Sequence, residues 1–385
     1  MSLLNNILFI THHYLEGNSG GAYASCAYIN AFAEISQNIT LLYPYKGGEN
    51  RNRLNHKIRQ IPVQYKKTKI GKLLDLLRGK VHRYNKIDKH IGHARFDYVI
   101  FDTSVVSYQL IEYFKKQGCK TVCIHHNYQY EYFRDNLNGL LKYITLFWCK
   151  KYEKEAIEKC DLNLTITPQD ISLLKKNYNH SKNNIEHLGV FEFKKNNVLR
   201  YAPKKQSTQS PIFIITGSLC TIQTEKSIDK WIKIYYPLIN STFPNHKLII
   251  AGRNPSKQLY QICSLHKKIE IIPNPITMDE ILKLGDIYIC PTSLGGGLKL
   301  RIMDGLKYGM PVITHKISAR GYEPFVEKKL VLTYDDKNSF NNAIKLITKN
   351  IDKKKEIIES YHNHFSFENG TKQLKDILIK HNLIQ

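Results

Sequence analysis

No stretch of this chain approaches the ~18 or more uncharged apolar residues that a membrane-crossing helix requires. The first residues carry neither the basic n-region nor the cleavage site of a secretory signal. Both absences make the cytoplasm the expected location. The eight cysteines stand singly, at positions 26, 119, 123, 149, 160, 220, 263 and 290. Without a Cys-x-x-Cys pair they suggest neither zinc nor dithiol redox chemistry, and they are expected to be reduced core residues. Acidic residues are scarce too: 33 Asp and Glu face 57 Lys and Arg, a formal net charge of +24.

That excess is concentrated. Residues Arg51 to Arg95 hold 14 Lys and Arg against Asp75 and Asp88 alone, so this segment supplies 12 of the 24 net charges. Within it Ile70, Leu73, Leu74, Leu77, Val81, Tyr84 and Ile91 recur at helical spacing among the basic residues, which predicts a basic amphipathic helix interrupted at Gly79. Such a helix settles on an anionic membrane and would hold the protein peripherally at the inner face of the cell membrane. The plain alternative is a surface helix whose apolar stripe faces its own core. Only Tyr65 and Tyr84 are candidates for stacking on bases and no binding module is recognisable, so no nucleic-acid partner is expected.

With 385 residues and 42% hydrophobic content, the chain is long enough for two domains, each with its own core. Short apolar runs at Asn6–Thr11, Asn38–Tyr43, Tyr98–Phe101, Thr121–His125 and Asn163–Thr167 are separated by helical or polar segments, the pattern of a parallel α/β sheet. Residues from about Lys194 to Ser210 lose apolar content and read as an exposed linker. A second series follows at Ile212–Thr216, Lys247–Ala251, Ile269–Ile272, Ile287–Cys290 and Val312–Thr314, and Lys353–Tyr361 and Gly370–Ile384 look helical. The expected organisation is a first α/β domain over 1–195, a linker over 196–210, a second α/β domain over 211–366 and a final helical segment over 367–385.

The densest chemistry lies in Pro291-Thr-Ser-Leu-Gly-Gly-Gly-Leu-Lys-Leu-Arg-Ile-Met-Asp-Gly-Leu-Lys-Tyr-Gly-Met-Pro-Val-Ile-Thr314. It reads as the end of a strand, a glycine turn, a helix over Leu298–Tyr308 and a second strand. Gly295, Gly296 and Gly297 permit close backbone approach, and a helix N-terminus behind them attracts an anion. Lys299 and Arg301 sit where cations oppose the helix dipole unless something negative lies between them, as a diphosphate would. Asp304, about 1.5 turns on, can accept two hydrogen bonds from a vicinal diol such as ribose. For the glycines alone, a turn with a solvated basic face is an equal reading.

These residues resemble the donor-site signature of GT-B glycosyltransferases, specifically the retaining glycosyltransferase family 4 group, in its Gly-Gly-Gly-x-Lys-x-Arg variant. Gly217-Ser-Leu, Trp231-Ile, Pro237-Leu, Phe243-Pro and Leu248-Ile-Ile-Ala-Gly-Arg253 follow the order seen in the donor domain of that subset. The resemblance implies an α/β GT-B fold, two Rossmann-like domains facing each other across a cleft. The first would bind acceptor and the second nucleotide sugar, with the last helix crossing back to the first. It implies donor contacts at Gly20, Gly21, Gly217, Ser218, Gly295, Gly296, Gly297, Leu298, Lys299, Arg301 and Asp304. Asp304 holds the place of a ribose-binding glutamate. Gly296 stands where the family has another glutamate, and Ser218 where it commonly has an arginine.

Thr121 to Tyr132 places His125 and His126 at the C-terminal end of a strand, the edge where open α/β sheets bind ligands. In the family a His-Asn pair there faces the donor sugar, so His126, directly before Asn127, is the first catalytic candidate and His125 the second. Tyr128, Tyr130 and Glu131 are weaker candidates for acceptor contact and could equally be packing. The resemblance implies transfer to a glycan, read as lipid-linked from the basic amphipathic segment, with retention by front-face displacement. The chain has no Asp-x-Asp triplet, and no metal or other cofactor is expected. Readings of another class are a non-catalytic protein that binds nucleotide sugar or glycan and, among enzymes, a nucleotide-sugar epimerase.

Overall fold

The computed structural model describes residues 4–17, 19–45, 47, 53–64, 68–179, 181–194, 210–294 and 297–384. The chain forms two compact units, residues 1–197 with 364–385, and residues 198–363.

The first unit is built on seven parallel strands: β1 (Leu4–Thr11), β2 (Ser36–Tyr45), β3 (Arg59–Gln64), β4 (Tyr98–Asp102), β5 (Lys120–His125), β6 (Leu162–Thr165) and β7 (Ile185–His187), in the order β3-β2-β1-β4-β5-β6-β7. The central strands are apolar on both faces because helices cover both; Leu8, Phe9 and Ile10 are all buried. Ser19 starts the Gly20–Glu34 helix by accepting a hydrogen bond from the Ala22 amide. Thr167 does the same for Pro168–Tyr178, which ends at Asn179 in the left-handed conformation. β3 escapes the sequence reading because it is a sheet edge: it alternates, carries Pro62 and is mostly exposed.

The basic amphipathic segment departs from expectation. Its helix spans only Lys69–Leu77, followed by Gly79 at φ +72°, and Tyr84 and Ile91 belong to the core of the unit instead. Tyr84 is fully buried and donates to the Thr11 carbonyl at 2.6 Å. One apolar pattern is thus shared between a surface helix and a core anchor. Tyr65 lies outside the described residues, as does 196–209 of the expected linker.

Residues 364–384 complete this unit. Ser366 caps the Phe367–Lys380 helix, and Gly370 meets the ring of Phe191, which a Cβ would enter at 2.1 Å. Gln373 donates to the His187 carbonyl at 3.0 Å, Lys380 and His381 meet Glu186 at 2.6 and 2.8 Å, and Tyr98 donates to the Leu383 carbonyl at 2.6 Å.

The second unit has six parallel strands, β8 (Ile212–Ser218), β9 (Lys247–Arg253), β10 (Ile269–Pro273), β11 (Ile287–Cys290), β12 (Val312–His315) and β13 (Val331–Tyr334), in the order β10-β9-β8-β11-β12-β13. Its core gathers Phe213, Trp231, Ile250, Ile289 and Phe340 between sheet and helices. Among the described residues no helix is long and apolar enough to cross a membrane.

Candidate functional site

In each sheet the strand order reverses once beside the first strand, between β1 and β4 and between β8 and β11. Chains leaving two strands at such a point turn to opposite sides and open a crevice at the carboxyl ends. His126 belongs to the first of these reversals, and Gly217, Ser218 and Arg301 to the second.

At the first, Thr11 and Asp102 are register partners at the ends of β1 and β4. Asp102 is fully buried; its Oδ2 accepts from Thr11 Oγ1 at 2.6 Å and Ser25 Oγ at 2.5 Å, and its Oδ1 lies 2.5 Å from His126 Nε2. Burial alone raises this carboxyl. His126, His13 and the Ser25 hydroxyl outweigh it and hold the group well below the usual carboxylate range. An ionised Asp102 fixes the His126 proton on Nε2 and leaves Nδ1 as the basic nitrogen.

Two further histidines stack beside it. The rings of His12 and His13 lie 4.1 Å apart and those of His13 and His126 4.9 Å apart, and Tyr28 meets His126 edge-on while donating to the Gly189 carbonyl at 2.6 Å. His12 pairs with Thr103 Oγ1 at 2.9 Å. Burial pushes His12 down to about 4 and His13 well below its ordinary value, so both are neutral at pH 7. Gly21 makes room for this: a Cβ there would stand 2.4 Å from His13 Cε1. That space, which the sequence reading gives to a ligand, is filled by His13. Gly20 is exposed and opens the helix.

His125 points elsewhere. It is buried, pairs with Asn163 Oδ1 at 3.0 Å, and is pushed down to about 4 by burial. Tyr128 is core, packed against Tyr130 and Tyr178, with its amide donating to Asp170; the Tyr130 ring carries the Lys150 ammonium at 4.9 Å, and Glu131 lies 3.5 Å from Arg134. Glu153 fastens this segment, accepting from the Gln129 amide at 2.7 Å and the Tyr178 hydroxyl at 2.8 Å. Asp102, Thr11, Ser25, His12 and His13 were missed by sequence reasoning. The signal available was position, since His12-His13 and Asp102 end or follow strands just as His125-His126 does.

Among the described residues, His13, Asp102 and His126 are the group that could hold a metal, with one ligand atom from each all within 4.8 Å of one another.

At the second reversal β8 ends in Gly217 and Ser218, and Gly217 pairs with Gly252 of β9. The guanidinium of Arg301 lies over Gly217, where a Cβ would stand 2.9 Å from Nη1, and reaches toward Thr292 Oγ1 at 3.5 Å. Ser218 Oγ is 3.3 Å from Cys220 Sγ. Gly295 and Gly296 lie outside the described residues; Gly297 has φ +73°.

The helix expected over 298–308 spans Arg301–Lys307. Lys299 therefore precedes it, held by its carbonyl, which accepts from the Tyr322 hydroxyl and the Ile302 amide, each at 2.9 Å. Leu298 and Lys299 are half-buried. Burial pushes the Lys299 ammonium down to about 8, and Arg301 and Arg320 add to the effect. Asp304 lies one turn into the helix, close enough to act on the buried Tyr288 phenol, whose hydroxyl pairs with Thr216 at 2.6 Å. The arrangement is cationic and suited to an anion.

Solved structures share this architecture over nearly the full chain. Sucrose-phosphate synthase from Thermosynechococcus elongatus aligns with a TM-score of 0.68 at 12% identity, covering 98% of each chain. Anabaena HepE in complex with UDP aligns at 0.67 and 12%, covering 97% of this chain and 100% of that one. WaaG, a glycosyltransferase involved in lipopolysaccharide biosynthesis, aligns at 0.61 and 11%, covering 97% and 99%. At such identities the likeness establishes the fold, which is that of the GT-B glycosyltransferases. Residues 210–350 match the family described as glycosyl transferases group 1, and this match spans the whole β8–β11 reversal with Lys299, Arg301 and Asp304. A sequence search of curated proteins gives no match.

Proposed function

We propose that the chain is a glycosyltransferase that moves a sugar from a nucleotide-sugar donor to a glycan, lipid-linked, in bacterial cell-surface polysaccharide synthesis, with retention of configuration and without a metal. The observation that carries this reading is the family match over 210–350, within which a depressed lysine, an arginine and a carboxylate gather at a strand-order reversal. In it Lys299 and Arg301 meet the diphosphate, with amides of the Gly295–Gly297 turn, and Asp304 takes the ribose diol. The acceptor hydroxyl oxygen bonds to the anomeric carbon on the face from which the diphosphate departs. The glycosidic C–O bond breaks with its electron pair going to the diphosphate, which takes the hydroxyl proton.

His126, held by Asp102, is the side chain proposed to act at the sugar. Support for a UDP-linked donor comes from the complexes of HepE with UDP and with UDP-glucose, and support for an envelope glycan from WaaG. Gly296 and Ser218, at places where the family carries glutamate and arginine, favour a second reading, a non-catalytic nucleotide-sugar binder. Calorimetry against a panel of nucleotide sugars, followed by product detection with the best binder, separates the two. If Lys299→Ala and Asp304→Ala leave donor binding unchanged, the pocket is misassigned. Turnover lost on chelation would remove the metal-free mechanism.

A further inference from the structure

Eight of the sixteen exposed large apolar side chains among the described residues lie on two helices of the first unit. Ile70, Leu73, Leu74 and Leu77 stand on Lys69–Leu77, and Leu140, Leu141, Tyr143 and Phe147 on the first turns of Leu140–Lys159, each between 40% and 78% exposed. A helix on a globular protein ordinarily turns its i, i+3, i+4, i+7 stripe to its own core. Positions 70, 73, 74 and 77 form that stripe and face outward, while Gly71, Asp75 and Leu76 are the less exposed side.

The two helices touch, and their junction is packed. Gly79, just past the end of the first helix, abuts the ring of Trp148 on the second, which a Cβ would approach to 2.5 Å; Trp148 in turn meets Phe147 and Tyr108 edge-on at 5.2 and 6.1 Å. Trp148 therefore joins the end of the first helix to Phe147 of the second stripe. Basic residues border the two stripes: Lys72, Arg78, Lys80, Lys150 and Lys151 are exposed, and the Lys151 ammonium lies 4.4 Å over the Phe147 ring. Asp75 is the single acid between positions 68 and 87, and none occurs between 139 and 152.

An apolar face alone would suit a second copy of the chain as well as a bilayer. The border decides between them, because two such faces would set lysine against lysine, whereas an anionic leaflet takes up both the apolar side chains and the cations. We infer that this two-helix face docks the protein on an anionic lipid bilayer, the apolar side chains entering the headgroup boundary and the lysines meeting lipid phosphates. The surface adds to the lipid-linked acceptor reading above and is tested apart from it.

The experiment is co-sedimentation of the full chain with vesicles of phosphatidylglycerol in phosphatidylcholine, and of phosphatidylcholine alone, with tryptophan emission read in parallel. Trp231 is 1% exposed in the core of the second unit, so a blue shift reports Trp148. Expected are retention on the anionic vesicles only, a blue shift, and loss of both by more than about tenfold in Leu74→Glu/Phe147→Glu. Both positions are exposed, so the melting temperature should not move. A second variant, Lys72→Ala/Lys151→Ala, should bind only at lower salt.

Wild-type-like retention of the Leu74→Glu/Phe147→Glu protein would overturn the inference, as would failure of the wild type to bind anionic vesicles. A solution dimer that this variant dissociates, without vesicle binding by either form, would assign the face to a second copy. Vesicle binding without nucleotide-sugar binding would sink the transfer reading and leave the docking surface standing.

Discussion

At the β1–β4 reversal of the first unit the charged group is an anion, Asp102, buried outright and met by Thr11, Ser25 and His126. At the β8–β11 reversal of the second two cations, Lys299 and Arg301, outnumber the Asp304 carboxylate, and burial with Arg301 and Arg320 nearby depresses the lysine to about 8. The same sheet topology thus supports two electrostatic arrangements. The first satisfies its own charge with three internal donors and holds an imidazole rigidly. In the second, burial and neighbouring cations disfavour the ammonium, and an arriving anion would relieve that cost. Positioning should therefore reside in the first unit and ligand affinity in the second.

The sharpest way to break this comparison is Lys299→Ala/Arg301→Ala. Loss of two charge-assisted contacts should weaken nucleotide diphosphate binding about a thousandfold by calorimetry, with melting little changed. Wild-type affinity would place the binding charge elsewhere. Next in size is Asp102→Ala, which strips three donors of their buried acceptor and should cost about 3 kcal/mol in denaturant unfolding while nucleotide affinity stays intact. His126→Ala should lower transfer about a hundredfold with nucleotide binding unaltered, whereas His125→Ala should read as lost stability. The reverse pattern would exchange their roles.

Smallest is the pH dependence. A lysine near 8 is charged at pH 7, so diphosphate affinity should be level below about pH 8. Above it affinity should fall up to tenfold per pH unit, because binding must then reprotonate the group. Lys299→Arg should remove that decline; an unchanged profile would assign it to another group.

Much of the fold was legible. Ten apolar runs read as strands each fall on a strand, Asn163–Thr167 overrunning β6 by two residues, because fully covered parallel strands are apolar on both faces and need no partner to be recognised. Three strands were not read: β3, with Pro62 and a solvated edge, β7, three residues long, and β13, four residues at the edge of the second sheet. At the candidate site, the motif singled out Lys299, Arg301 and Asp304, which the structure places on and just before the Arg301–Lys307 helix. The site was not legible at Asp102, because a lone aspartate after Phe101 acquires meaning only when β4 is set beside β1 and the carboxylate meets Thr11, 91 residues away. Likewise the seven apolar residues at helical spacing could not reveal that Tyr84 would be core while Leu74 faced solvent.

Residues 364–384 belong to the first unit, although the whole second unit is encoded between them and residue 197. During synthesis the β6–β7 edge must wait, with Phe191 lacking Gly370 and Glu186 lacking Lys380 and His381, until the ribosome has passed the second unit. The second unit, continuous in sequence, can close first. The first unit is then the last to be finished, and a chain cut short near position 363 would carry a folded second unit and an unfinished first one exposed to quality control.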